Sequence, residues 1–281
     1  MLTVLEIIKR TTEFFSAKGV ESARLNAELL IGHALGLKRM QLYLQFERPL
    51  TEVELERIRP LVRRRGQREP LQYIIGETEF CGLKLKVDRR ALIPRPETEL
   101  LVESIVTACA TPPARILDLG TGTGAIALAL ARAFPEAAVT AIEWSDEALA
   151  LARENTLATG LEAKVELLKS RWFDAVPPER RYELIVANPP YLTPDETAKA
   201  APEVRQYEPT VALTGANGGI GDLQEIIAQA PAHLTPGGLL ALETGIAQHH
   251  ALQEMSQAVG FARTESRQDL TGRDRYVLAW V

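Results

Sequence analysis

Asp118-Leu119-Gly120-Thr121-Gly122-Thr123-Gly124 is the stretch that decides how this chain folds. It closes a predicted strand, Arg115–Leu119, and runs straight into Ala125-Ile126-Ala127-Leu128-Ala129-Leu130-Ala131, a composition that favours helix. Three alternate glycines after a buried strand let the backbone turn sharply and approach a ligand closely. The next predicted strand, Ala138–Ile142, ends on Glu143, where a carboxylate can accept hydrogen bonds from both hydroxyls of a ribose. The spacing is Gly-x-Gly-x-Gly, not the Gly-x-Gly-x-x-Gly of pyrophosphate binders. No Lys-Ser/Thr pair follows, which rules out a triphosphate loop. Asp118 would repel a polyphosphate and suits a ligand whose near end is cationic. S-adenosylmethionine, with its sulfonium and ammonium, fits this better than NAD.

A second strand tip carries the other informative run. Leu184–Ala187 leads directly into Asn188-Pro189-Pro190-Tyr191. Two prolines cannot continue a central ladder, so the chain must leave the sheet there in a rigid shape. That rigidity aims two acceptors, the Asn188 side-chain oxygen and the Pro189 carbonyl, at the two donors of one planar NH2 group. The ring of Tyr191 can pack over the flat group. Such a constellation grips an amide or an exocyclic amine and leaves its nitrogen facing a methyl donor.

Outward from these two sites, strands alternate with helices from Glu97 onward. Further strands are predicted at Val165–Leu168, Leu239–Leu242, 263–268 and 276–280. Helices are predicted at Glu97–Cys109, Ala125–Ala133, Asp146–Thr159, Asp222–His233 and Gln248–Val259. This is α/β alternation, a mostly parallel sheet covered on both faces, with ligands beyond the carboxyl ends of its strands. Residues 76–95 read as a β-hairpin connector: Leu83, Leu85 and Val87 alternate with Lys84, Lys86 and Asp88, and Cys81-Gly82 turns back to an earlier strand at 73–75 or 77–80. Residues 1–75 read as all-helical. Leu5, Ile8, Thr12 and Phe15 share one helical face, Ala23, Ala27, Leu30 and Ile31 another, and Thr51 caps a third helix behind which Glu52, Glu54 and Glu56 follow. The expected division is therefore 1–75, 76–95 and 96–281. The stretch 193–221, rich in Pro, Ala and Gly, reads as a lid over the acceptor or as a surface loop, its position favouring the lid.

Composition narrows the classes. Of 281 residues 46% are hydrophobic and 25% charged, as in an ordinary globular protein, and no apolar run approaches the length of a membrane span. The N-terminus carries no pattern of a signal or transit peptide, which points to a bacterial cytoplasm. Two cysteines and four scattered histidines exclude a zinc module or disulfide scaffold, so no metal is expected. Charge is uneven: residues 1–75 hold 13 basic and 9 acidic side chains, a net of +4, and the remainder a net of −9. A basic front end suggests an anionic partner or simply a solvated helix surface, and charge alone does not choose between them.

The glycine loop, Glu143 and Asn188-Pro189-Pro190-Tyr191 together resemble class I S-adenosylmethionine-dependent methyltransferases acting on planar nitrogen, with a Rossmann-like, seven-stranded, mostly parallel sheet. Leu92-Ile93-Pro94-Arg95-Pro96-Glu97-Thr98-Glu99, Glu208-Pro209 with Ala212-Leu213, and Asp269-Leu270-Thr271-Gly272-Arg273-Asp274-Arg275 are similar to signatures of the release factor glutamine methyltransferases. That resemblance spans nearly the whole chain. It implies N5-methylation of the glutamine in the Gly-Gly-Gln motif of class 1 peptide chain release factors. It further implies that Asp118, Gly120, Thr121, Gly122, Thr123 and Gly124 line the donor, Glu143 holds the ribose and Trp172 packs near the adenine. Asn188, Pro189, Pro190 and Tyr191, with Arg95, then hold the glutamine. The chain departs from the family pattern at Arg171, where relatives have Asp, and at Gly245-Ile246.

With no strong base beside Asn188, the chemistry expected is direct in-line transfer, Asn188 and Pro189 orienting the NH2 group. The rivals are a methyltransferase for adenine or guanine in nucleic acid, a nicotinamide-dependent oxidoreductase, and a non-catalytic module that binds release factors. The first predicts a broad basic surface, which a net of −9 disfavours, so no stable nucleic-acid binding is expected.

Overall fold

The computed structural model describes residues 2–281 and divides them into two compact units. One comprises the residues up to Gly76 together with Ala201–Tyr207; the other comprises Glu77–Ala200 and Glu208–Val281.

The first unit is helical, with helices Val4–Ala17, Ala23–Leu35 and Glu52–Gly66 and short turns of helix at Arg39–Tyr43 and Leu71–Ile75. The latter turn removes the alternative of a strand at 73–75. Thr51 caps its helix as expected, in a reciprocal box with Glu54. In the first helix the buried residues are Val4, Ile8, Thr11 and Phe15, with Leu5 and Thr12 at the margin of that face. The predicted stripe is thus off by about one position at two of its four residues: Val4 joins the core cluster of Leu30 and Ile31, and Thr11 is buried in place of Thr12. Glu28, which no apolar pattern could flag, is buried and receives bonds from Arg24, Arg39 and Tyr43.

The second unit opens with the hairpin β1 (Glu77–Phe80) and β2 (Leu83–Lys86), joined by Cys81 and Gly82, both at positive φ. A two-residue turn of that hand matches the strand twist. The hairpin occupies only part of 76–95, the rest being an irregular run into the helix Pro96–Ala108. The main sheet contains β3 (Arg115–Leu119), β4 (Ala138–Glu143), β5 (Val165–Lys169), β6 (Tyr182–Ala187), β7 (Leu234–Glu243), β8 (Arg263–Gln268) and β9 (Asp274–Trp280). Their order is β5-β4-β3-β6-β7-β9-β8, parallel from β5 to β7 and antiparallel at β9 and β8. Alternate residues feed two cores, Ile116, Leu184 and Val186 on one face and Leu117, Ile185 and Ala187 on the other.

β7 begins at Leu234, five residues earlier than expected, since Thr235-Pro236-Gly237-Gly238 reads as a turn but lies alongside β6 with a shift of register. The predicted helix 222–233 is an α-helix, Gly221–Gln229, ending in a 3₁₀ turn, and its stripe of Leu223, Ile226, Ile227 and Ala230 is buried. The chain reverses direction across the sheet between β3 and its neighbours β4 and β6, so a crevice opens beyond the carboxyl ends of β3 and β6.

Candidate active site

The glycine loop follows β3 and is drawn tight by backbone and carboxylate bonds. The amides of Gly120 and Thr121 both donate to the Ile142 carbonyl, at 2.9 and 2.8 Å. Thr121 donates its hydroxyl to Asp118 Oδ2 at 2.6 Å, and the Ala127 amide reaches the same oxygen. Glu143 accepts from the Gly122 amide at 2.9 Å with one oxygen and from the Ser145 amide with the other. Gly120, Gly122 and Gly124 all have positive φ, the conformation glycine tolerates best. Asn155, fully buried, donates to the Thr123 carbonyl and bonds both backbone groups of Lys86, tying the loop to β2.

This loop forms one wall of a cavity of about 390 Å³, within the range of small-molecule sites. Gly120, Thr121, Gly122, Thr123, Glu143 and Trp172 line it, as do Arg95, Asn188, Pro189 and Pro190. The structure brings these ten candidates together around one cavity. Three other candidates stand off the wall. Asp118 lies wholly buried behind the loop, where burial pushes its carboxyl up to about 7. Its Oδ1 has no partner among the described residues. Gly124 caps the following helix, and Tyr191 turns its phenol inward to Glu243 Oε1 at 3.1 Å. Arg95 reaches the wall with its guanidinium held by Glu208, whose other oxygen accepts from the Ile93 amide.

Across the cavity, the Asn188 side chain donates from Nδ2 to Thr98 Oγ1 at 3.2 Å, and Thr98 donates to Glu243 Oε2 at 2.8 Å. The Asn188 carboxamide oxygen makes no hydrogen bond among the described residues. One cavity thus carries a glycine loop, the Glu143 carboxylate and the Trp172 ring together with Asn188 and its two following prolines.

Comparison with known proteins agrees. Residues 6–76 match the family model described as PrmC N-terminal domain, and residues 96–204 match the methyltransferase small domain. The chain is 42% identical to the release factor glutamine methyltransferase of Geobacter sulfurreducens over 275 residues, 98% of this chain and 95% of that one. It is 43% identical to the protein of that name from Cereibacter sphaeroides, over 94% of this chain and 93% of the other. The chain belongs to the release factor glutamine methyltransferase family.

Solved structures with the same fold include the T. thermophilus 16S rRNA methyltransferase in complex with AdoMet and guanosine, with a TM-score of 0.53 and 21% identity over 73% of this chain and 49% of that one. The N-terminal domain of human METTL16 in complex with SAH gives 0.52 and 18% over 71% and 75%. At such identity they speak for the α/β methyltransferase fold alone.

In this member of the glutamine methyltransferase family several lining residues carried no distinguishing sign in the sequence. Trp144, directly after Glu143, lines the cavity while two-thirds exposed, with the Lys169 ammonium 5.5 Å from its ring centroid. Its position after the acidic strand tip was the available signal. Thr98, which lines the cavity, and Glu208, which does not but holds Arg95, lie inside runs that carried the family resemblance, yet only the contacts show what they hold. Arg171 forms an ion pair with Glu225. The segment 193–221 is built of short helices, Pro194–Lys199, Pro202–Tyr207 and Ala216–Gly219, rather than open loop. No helix among the described residues is long and apolar enough to cross a membrane.

Proposed function

We propose that this enzyme methylates the side-chain amide nitrogen of the glutamine in the Gly-Gly-Gln motif of class 1 peptide chain release factors, with S-adenosylmethionine as donor, in the bacterial cytoplasm. The observation that carries the reading is the single cavity on which the unpaired Asn188 oxygen and the Gly120–Thr123 loop converge. The residues suit a cationic nucleoside donor. Each Glu143 oxygen, after accepting one amide, keeps a lone pair for a ribose hydroxyl. Gly122 leaves open space where a side chain would stand, the nearest atom to a Cβ there being Ala91 Cβ at 4.0 Å. Gly120 to Thr123, Glu143, Trp172 and Trp144 would hold the donor, which supplies an electrophilic methyl on cationic sulfur.

The chain's own contribution is orientation. An amide nitrogen is a weak nucleophile because its lone pair is shared with the carbonyl. Asn188 Oδ1 and the Pro189 carbonyl accept its two N–H groups, raise electron density on nitrogen and aim it at the methyl. The donor, when bound, would give up its methyl to that nitrogen and leave as a neutral thioether, and the extra proton on nitrogen would pass to solvent. Fixing the reacting atoms near contact distance contributes on the order of 7–11 kcal/mol. The basic helical unit, residues 1–75, docks the protein substrate, and 76–95 links it to the catalytic unit 96–281.

The test is incubation with methyl-labelled S-adenosylmethionine and a recombinant release factor, beside its Gly-Gly-Gln variant with Gln replaced by Ala, and beside RNA and DNA. Label on the unaltered factor alone is the expected result. Label on both factors, or on nucleic acid, refutes the assignment.

A further inference from the structure

We propose that Glu243 is the positioning residue of the Asn-Pro-Pro-Tyr tetrapeptide: through Thr98 it fixes which way round the Asn188 carboxamide sits, and through its other oxygen it anchors the Tyr191 phenol. The inference rests on the reading of Asn188 as acceptor for the substrate amide. Ala187 and Leu242 are register partners of β6 and β7, so Asn188 and Glu243 each follow one step beyond a paired position. The Glu243 side chain is buried, and its two oxygens face opposite ends of the tetrapeptide.

Donor counting sets the direction. An ionised carboxylate only accepts, so the one hydroxyl hydrogen of Thr98 goes to Glu243 Oε2. The Thr98 oxygen is then an acceptor toward Asn188 and takes a hydrogen from Nδ2. A carboxamide turned by half a revolution would set Asn188 Oδ1 against an oxygen with no hydrogen to give. The oxygen therefore stays toward the cavity, where the substrate NH2 must be met. Tyr191 donates to Oε1, and the Arg275 guanidinium lies 3.5 Å from the phenol oxygen. Arg275 and Glu97 are the other charged groups facing Glu243; its pKa lies above the ordinary carboxylate value, raised first by burial and further by Glu97, with Thr98, Tyr191 and Arg275 opposing the rise and favouring the ionised form. A buried charge is weak evidence of stabilisation, since well-packed apolar residues often do as well, whereas it defines donor and acceptor directions that an apolar core cannot.

Thr98→Val removes the relay at nearly constant volume, and Thr98→Ser keeps the hydroxyl. The valine variant is expected to lose about 10- to 100-fold in kcat toward the release factor, the order seen when a reacting group is slightly misplaced. Its KM and its calorimetric affinity for S-adenosylmethionine are expected to stay close to those of the unaltered enzyme, while its melting temperature falls because Glu243 Oε2 loses its partner. Thr98→Ser is expected to recover most of the rate. Glu243→Gln, whose amide can present either a donor or an acceptor to Thr98, is expected to fall between the two. A readout independent of turnover is the Asn188 side-chain NH2 resonance in protein labelled with nitrogen-15 asparagine: one proton shifted downfield by the bond to Thr98, retained in serine and lost in valine. A valine variant with undiminished kcat, or a serine variant as slow as valine, overturns the proposal. If the unaltered protein leaves the release factor unlabelled, the functional reading fails, and the resonance pattern alone then decides whether the relay exists.

Discussion

Asp118 is a carboxyl group with almost no water around it, and the physics of that burial makes a pH prediction. Desolvation raises its pKa to about 7, the bonds from Thr121 and Ala127 oppose the rise, and the charge of Glu143 adds to it. In the unfolded chain the same group titrates near 3.8. Below both values the protonated form is present in both states and this residue's preference for the fold is complete. As pH climbs from about 4 through about 7 the unfolded chain ionises first, so that preference is progressively lost. The melting temperature of unliganded protein should therefore decline across this window more steeply than that of Asp118→Asn, which keeps an acceptor for Thr121 and Ala127. Parallel profiles would show that the carboxyl is not raised. Asn188 makes a different kind of prediction. Asn188→Ala should cut turnover on the order of 100-fold or more while donor affinity, read by calorimetry, stays within a few-fold. Equal losses in both would assign Asn188 to donor binding instead. These residues were legible before any coordinates because each is a distinctive chemical type at a strand tip. Thr98 and Glu243 were not, since they lie 145 positions apart and their roles exist only in the bond between them.

At the level of elements, periodicity revealed the strands and helices that bury continuous apolar stripes and failed where glycine and proline sit inside regular structure. β7 is the clear case, its first half hidden by Pro236-Gly237-Gly238. The short helices after Tyr191 are another, because segments of four to six residues are too brief to show a period. They have a consequence for the tetrapeptide. Leu192 bridges Thr214, and a Cβ on Gly219 would stand 2.3 Å from the Tyr191 carbonyl oxygen. Gln248 bonds both that carbonyl and the Gly219 carbonyl, at 3.2 and 2.9 Å. Gly219→Ala must push this backbone aside. Gly237 has a similarly positive φ with nothing within 4 Å of a would-be Cβ, so Gly237→Ala carries the conformational strain without the collision. Both variants should melt lower, by about 1 kcal/mol of backbone strain. Only Gly219→Ala should lose kcat, on the order of 100-fold. Equal kcat in the two would mean that the segment does not hold the tetrapeptide in place.

For the whole molecule, the informative fact is that the chain contributes to the helical unit twice. Ala201–Tyr207 lies far along the sequence, among residues of the catalytic unit, yet belongs to the first. No local pattern could have disclosed this, because what decides it is one acid meeting two distant bases. Glu203 accepts from Arg68 at 2.6 and 2.7 Å and from Arg65 at 2.9 Å, and Tyr207 donates to the Gln67 carbonyl. Arg65 is nearly buried and also bonds Asn26 and the Glu69 carbonyl. Burial works to raise the pKa of Glu203, but the two guanidinium partners hold it below its ordinary value, so this pairing is complete at neutral pH and is lost as the medium becomes acid. Arg65 is buried but the Arg68 and Glu203 side chains keep 21% and 16% of their surface exposed, so removing one partner costs less than the roughly 3–5 kcal/mol of a fully buried pair. Glu203→Gln in the full chain should therefore speed amide hydrogen exchange in Ala23–Leu35 and Glu52–Gly66, and expose the stretch 193–221 to protease. A fragment ending at Gly76 has no Glu203 to offer. Arg68→Ala should consequently destabilise the full chain while leaving the fragment's denaturant midpoint almost unchanged. If the substitution weakens both alike, Arg68 serves its own helices, and the returning segment is not held by it.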